Sequence, residues 1–148
     1  MKSKIFVLGL FLIFGGVFAL QAQDIVGKWK TIDDETHKPK SVVQIWKSKK
    51  DGKYYGKIIK LYREPGEEPN PKCTECTDYR KDKPIIGMTI IKYLVKDGDQ
   101  WVNGKILDPA NGNIYKCKVW IEDGKLQVRG YLGFSLIGRS QTWLPYKE

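Results

Sequence analysis

Histidine is nearly missing from this chain: His37 is the only one, set in the polar stretch Asp33–Pro39. A Ser–His–Asp or Cys–His device would need it buried beside a nucleophile, so that stretch argues for a solvated turn residue instead. Cysteine is scarce as well, with Cys73, Cys76 and Cys117. Three cysteines and His37 would make four zinc ligands by count, but they come from three distant segments, and we expect no metal. No glycine-rich phosphate loop and no dinucleotide fingerprint is present, so we expect no nucleotide cofactor. Carboxylates cluster only as Asp33-Asp34-Glu35 and Glu67-Glu68. Both clusters lie in loop-like stretches, where solvation accounts for them better than paired-acid hydrolysis. There is no apolar repeat of helical period, which leaves little room for helix. After Leu20 no apolar run is long enough to span a bilayer.

Before that point lies one apolar run, a little short for a membrane anchor. Lys2 and Lys4 precede an apolar run from Ile5 to Leu20, and small residues follow at Ala19 and Ala22. We read residues 1–22 as a secretory signal peptide and residues 23–148 as one domain, exported to the periplasm or beyond. The whole chain carries a formal charge of +9. Its lysines are scattered through strand-like segments, as in Lys28/Lys30, Lys57/Lys60 and Lys116/Lys118. Solvated outer faces explain that pattern; the sharper reading is attraction to anionic lipid or an envelope polymer. An exported chain without a recognisable motif is not expected to bind nucleic acid.

Glycine and asparagine mark the turns. Asp51-Gly52, Asp97-Gly98, Asn111-Gly112 and Asp123-Gly124 separate short runs rich in Val, Ile, Tyr, Trp and Thr. Such dipeptides accept the positive φ of tight hairpins. The runs predict eight strands, at about 25–32, 41–48, 53–62, 87–95, 100–107, 113–121, 125–132 and 139–145. Alternation supplies an inner face: Ile25, Gly27 and Trp29 against Lys28 and Lys30, then Tyr115, Cys117, Val119 and Ile121 against Lys116 and Lys118. The next strand sets Leu126, Val128, Gly130 and Leu132 against Gln127, Arg129 and Tyr131. Consecutive strands on short turns make a meander, and closure removes its two open edges. The fold class is therefore all-β: an eight-stranded antiparallel up-and-down barrel. Gly56, Gly104 and Gly130 fall inside strands, at barrel corners or where room is left for a ligand.

The two ends of the mature chain are expected to seal the ring. Gly27-Lys28-Trp29 begins it, and Arg139 and Trp143 end it. We expect the Arg139 guanidinium to stack on the Trp29 indole and close one end. One long loop interrupts the meander, from Arg63 to Pro84, with prolines at 65, 69, 71 and 84. It is either a lid or rim across one mouth, or a surface excursion pinned by local bonds. Its Cys73-x-x-Cys76 is read as a disulfide, since a redox pair would need a helix start in a βαβ unit. Cys117 is read as a free, buried thiol.

Here the chain resembles known proteins. Gly27-x-Trp29 with a late Arg139 is similar to the pattern shared by lipocalins, fatty-acid-binding proteins and avidins, the calycin-type barrels. GKWKTIDDET, DPANGNIYKCK and VRGYLGFSLIGRSQTW resemble a bacterial domain-of-unknown-function family, number twenty-one forty-seven, over nearly all of the mature chain. That resemblance implies a small exported barrel and supplies no catalytic residues. The leading expectation is a non-enzymatic, lipocalin-like carrier of a small apolar or lipid-like ligand, with Tyr55, Trp101, Tyr115, Arg129 and Tyr131 as candidate ligand contacts. A filled barrel meeting an envelope protein or polymer through the corner Gly133–Gly138 is the alternative. An enzyme built on Asp108, Arg129 and Tyr131 is the third. Ligand identity and oligomeric state are not encoded in any recognisable pattern.

Overall fold

A computed structural model describes residues 23–133 and 138–148. Residues 1–22, read above as a leader, and most of the corner Gly133–Gly138 lie outside the described residues. Eight strands follow one another: β1 (Gly27–Ile32), β2 (Pro39–Lys47), β3 (Tyr54–Leu61), β4 (Thr89–Asp97), β5 (Gln100–Leu107), β6 (Ile114–Glu122), β7 (Lys125–Tyr131) and β8 (Gly138–Pro145). Each pairs antiparallel with the next, and β8 returns to β1, so the sheet is a closed barrel. The strand ends fall within two residues of those read from the turn signals.

The connections differ at the two ends. At one end β2–β3, β4–β5 and β6–β7 turn tightly, with Gly52, Gly98 and Gly124 at positive φ. The other connections, the long Arg63–Pro84 loop among them, lie at the other end. Side chains fill the tight-turn end. Ile25, Trp29, Val43, Ile45, Tyr54, Leu94, Trp101, Val119 and Leu126 are all buried there. Ile25 comes from the segment before β1, and its carbonyl accepts a hydrogen bond from Trp29 Nε1 at 2.8 Å. That bond satisfies the indole N–H under the apolar floor. Gly27 has φ 150°, and a Cβ there would meet nothing within 4 Å, so the Gly of Gly-x-Trp serves backbone conformation, not space.

The β4–β5 hairpin is bent where its pairing lapses between Lys92↔Lys105 and Val95↔Val102. Tyr93 (φ 67°) and Asn103 (φ 60°) take the left-handed conformation at that bend. A Cβ on Gly104 would come within 2.5 Å of Leu94, so Leu94 occupies the room that this glycine leaves. Gly104 thus marks a barrel corner.

The closing seam requires a correction. β1 and β8 do meet, through Trp29↔Pro145 and Lys30↔Leu144, and Tyr146 N extends the ladder to Lys28 O at 2.9 Å. Arg139, however, lies six residues from Pro145, about 20 Å along an extended strand. It pairs with Gly130 at the opposite end of the barrel. Its guanidinium does not stack on Trp29; it is exposed and binds Asp34 Oδ2 at 3.1 Å. The stagger of strands around a closed barrel separates residues that a linear reading places together.

Candidate functional site

Inside the barrel, at the end carrying the long connections, an open-mouthed cavity of about 610 Å³ remains. Thr31, Ser41 and Gly130 leave room there, whereas Trp29, Tyr54 and Trp101 fill the floor. Its walls are apolar: Ile58, Ile90, Ile106, Leu107, Val128 and Trp143. Gly130 on β7 also faces it, and a Cβ there would meet Ile106 and Tyr115 only at ordinary contact, 3.6 Å. Two buried hydroxyls interrupt the apolar wall. Thr31 Oγ1 and Ser41 Oγ lie 2.7 Å apart and bond each other across β1 and β2. Polar and charged groups gather at the rim, among them Lys40, Arg63, Asp108, Arg139 and Gln141.

Local bonds organise that rim. Asp34 Oδ2 accepts from Gln141 Nε2 at 2.9 Å as well as from Arg139, which ties the β1–β2 turn to β8 above the short seam. In the same turn, Asp33 Oδ1 accepts the Thr36 N–H and hydroxyl at 2.8 and 2.9 Å. The Thr36 backbone N–H is the main reason its carboxyl sits below the usual range. Arg63 Nε donates to Glu68 O at 2.9 Å. Asp108 accepts from the Ala110 N–H at 3.0 Å and so shapes its own turn.

The Arg63–Pro84 loop forms one wall of this end. A bridge joins Lys72 to Pro84, and Pro71 and Ile85 line the cavity. Cys73 and Cys76 are disulfide-bonded and fully buried. Cys73 Sγ rests 3.6 Å from Pro109 O, a packing contact, since a disulfide sulfur carries no proton. Gly112 lets the Asp108–Asn113 turn approach: a Cβ there would stand 1.9 Å from Glu75 O. Arg80, also buried, donates to both Asp78 oxygens and, at 2.8 Å, to Thr89 O. The loop is therefore fastened to the barrel beside the mouth, as a rim.

Of the five expected ligand contacts, Tyr115 and Tyr131 line the cavity. Tyr115 is held at the rim by the Asn111 and Asn113 amides, at 3.4 and 3.3 Å. The other three do not line it. Tyr55 lies between inward Tyr54 and Gly56 and so projects outward, where its hydroxyl donates to Asp51. That bond, with partial burial, pushes its pKa up to about 12. Trp101 is interior but belongs to the floor, edge-on to Tyr54 at 6.0 Å. Arg129 projects outward between Val128 and Gly130, and its Nη1 donates to Ser140 Oγ at 3.0 Å. Asp108 lies in the β5–β6 turn, whereas Arg129 projects from the outer face of β7. Cys117 is buried on β6, and desolvation pushes its pKa up to about 12.

Two groups of residues escaped the sequence reading. Thr31, Ile58, Ile90 and Ile106 carry no aromatic or charged signature; their signal was inward phase combined with nearness to the long connections. Trp143, assigned to closure, is a buried wall residue whose Nε1 donates to Gln141 Oε1 at 3.1 Å.

Comparison with known proteins agrees with this geometry. Protein HP1028 from Helicobacter pylori, whose structure is described as belonging to the lipocalin family, superposes with a TM-score of 0.71 at 18% identity, over 84% of each chain. That likeness establishes a lipocalin-like fold. The comparison with curated proteins finds no match. The family described as "Uncharacterized protein conserved in bacteria (DUF2147)" matches residues 27–144, and the chain belongs to it.

Proposed function

We propose that the protein is a non-enzymatic carrier that takes a small, predominantly apolar ligand, such as a lipid-like molecule, into the barrel through the loop-bearing mouth. The observation carrying this reading is the cavity: about 610 Å³, apolar-walled, closed below and open above. Its size falls within the range of small-molecule sites. A ligand burying about 300 Å² of apolar surface there would gain on the order of 7 kcal/mol before the cost of association. The charged rim suits a polar end group left at the mouth, with Thr31, Ser41 and Tyr115 able to orient it. Such an interior argues against a barrel filled solid and working only through its exterior. The reading includes export, on the strength of the leader-like residues 1–22.

The test is ligand loading. Native mass spectrometry should find a retained small molecule, and the delipidated protein should change its tryptophan emission on adding long-chain lipids, with Trp143 as reporter. Gly130→Leu, which projects into the void, should keep the fold and weaken that response by about tenfold or more. No response across a broad panel of lipids would defeat the proposal.

A further inference from the structure

Outside the barrel, away from the mouth, three rings stand in a row across β2, β3 and β4. Trp46 and Tyr55 stack at 5.8 Å with planes 25° apart, and Tyr55 meets Tyr93 edge-on at 5.7 Å. Lysines flank the row: Lys57 Nζ lies 5.8 Å from the Trp46 centroid, and Lys53 Nζ 5.7 Å from that of Tyr93. Lys92 and Lys105, paired across β4 and β5, add two more lysines in outward phase, while Lys47 and Lys96 sit at the floor end over inward Tyr54 and Trp101. Tyr93 and Val95 remain 42% and 40% exposed, so this basic face is also apolar.

Tyr93 is the unusual member. The β4–β5 bend demands a left-handed residue on each strand. At Asn103 the chain meets that demand with a residue that tolerates it. At position 93 it uses a tyrosine, which does not, and the ring stands in solvent. Glycine would make the same bend with less strain. What tyrosine adds is the exposed ring.

We propose that this face docks on an anionic lipid surface. Ring edges, a phenol tip and ammonium groups on aliphatic stems are the chemistry that settles among charged headgroups. The lysines supply complementary charge, against which stand Asp51, already engaged by the Tyr55 hydroxyl, and Asp97 at the end of β4. Because Trp46 and Tyr55 sit toward the floor, docking leaves the mouth free, and the inference does not rest on cavity binding.

Co-sedimentation of the purified protein with vesicles tests it. Wild type should bind vesicles containing phosphatidylglycerol, release in high salt and ignore pure phosphatidylcholine. Lys53→Glu/Lys57→Glu should lose at least about tenfold in affinity. Tyr93→Gly should bind several-fold more weakly while melting as cooperatively as wild type. Lys116→Glu/Lys118→Glu, an equivalent change on β6, should bind nearly as wild type. Failure of wild type to bind anionic vesicles would overturn the proposal. So would equal loss in the β6 variant, or wild-type binding by Tyr93→Gly. Capture by soluble dextran sulfate with none by vesicles would replace the bilayer with an acidic polymer.

Discussion

Single residues decide how the loop-bearing end is built. Gly112 combines φ 74° with an approach that leaves no space for a methyl group beside Glu75 O. Gly124 has φ 72° but open surroundings. Gly112→Ala should therefore cost about 2–4 kcal/mol, against about 1 kcal/mol for Gly124→Ala, by urea denaturation. Asp78 shows a different dependence. Hydrogen bonds from the buried Arg80 hold its carboxyl below its ordinary value of 3.8. A depressed folded-state value contributes stability above the unfolded pKa and loses it as pH falls through the folded one. Asp78→Asn should thus be about 1–3 kcal/mol less stable than wild type near neutrality. In melts taken at falling pH, that gap should narrow as the pH drops through the depressed folded-state pKa of Asp78.

At the scale of elements, the seam between β1 and β8 separates two jobs that the sequence suggested were one. Trp29 is part of the floor; Arg139 ties the β1–β2 turn to β8 at the mouth. Trp29→Ala should cost about 3–5 kcal/mol. Arg139→Ala should cost under about 1 kcal/mol, as for exposed ion pairs. The double variant should be additive within about 0.5 kcal/mol, because the sites share no partner. Strong coupling would restore the stacked pair. The strands themselves were legible because alternation and Asp-Gly turns are local signals. The bend at Tyr93 and Asn103 was not, since neither residue is a glycine and the need for it arises only when the sheet closes on itself.

For the molecule as a whole, the disulfide is one of several fastenings on the long loop. The Cys73–Cys76 link closes a very short loop, so the chain-entropy account gives it only about 2 kcal/mol. The Lys72–Pro84 bridge and the Arg80–Asp78 pair hold the same segment independently. Reduction should lower the melting temperature modestly and leave one cooperative transition, measured by circular dichroism with and without reductant.

By itself the sequence determined the number of strands, their order, the inward phase of most of them and the pairing of the two loop cysteines, because each follows from patterns a few residues long. Tertiary structure alone decided which end stays hollow, that Tyr115 and Tyr131 line the hollow while Tyr55, Trp101 and Arg129 do not, and that Arg139 meets Asp34. Those outcomes depend on the stagger with which the last strand meets the first, a quantity summed around the entire ring and carried by no single segment of it.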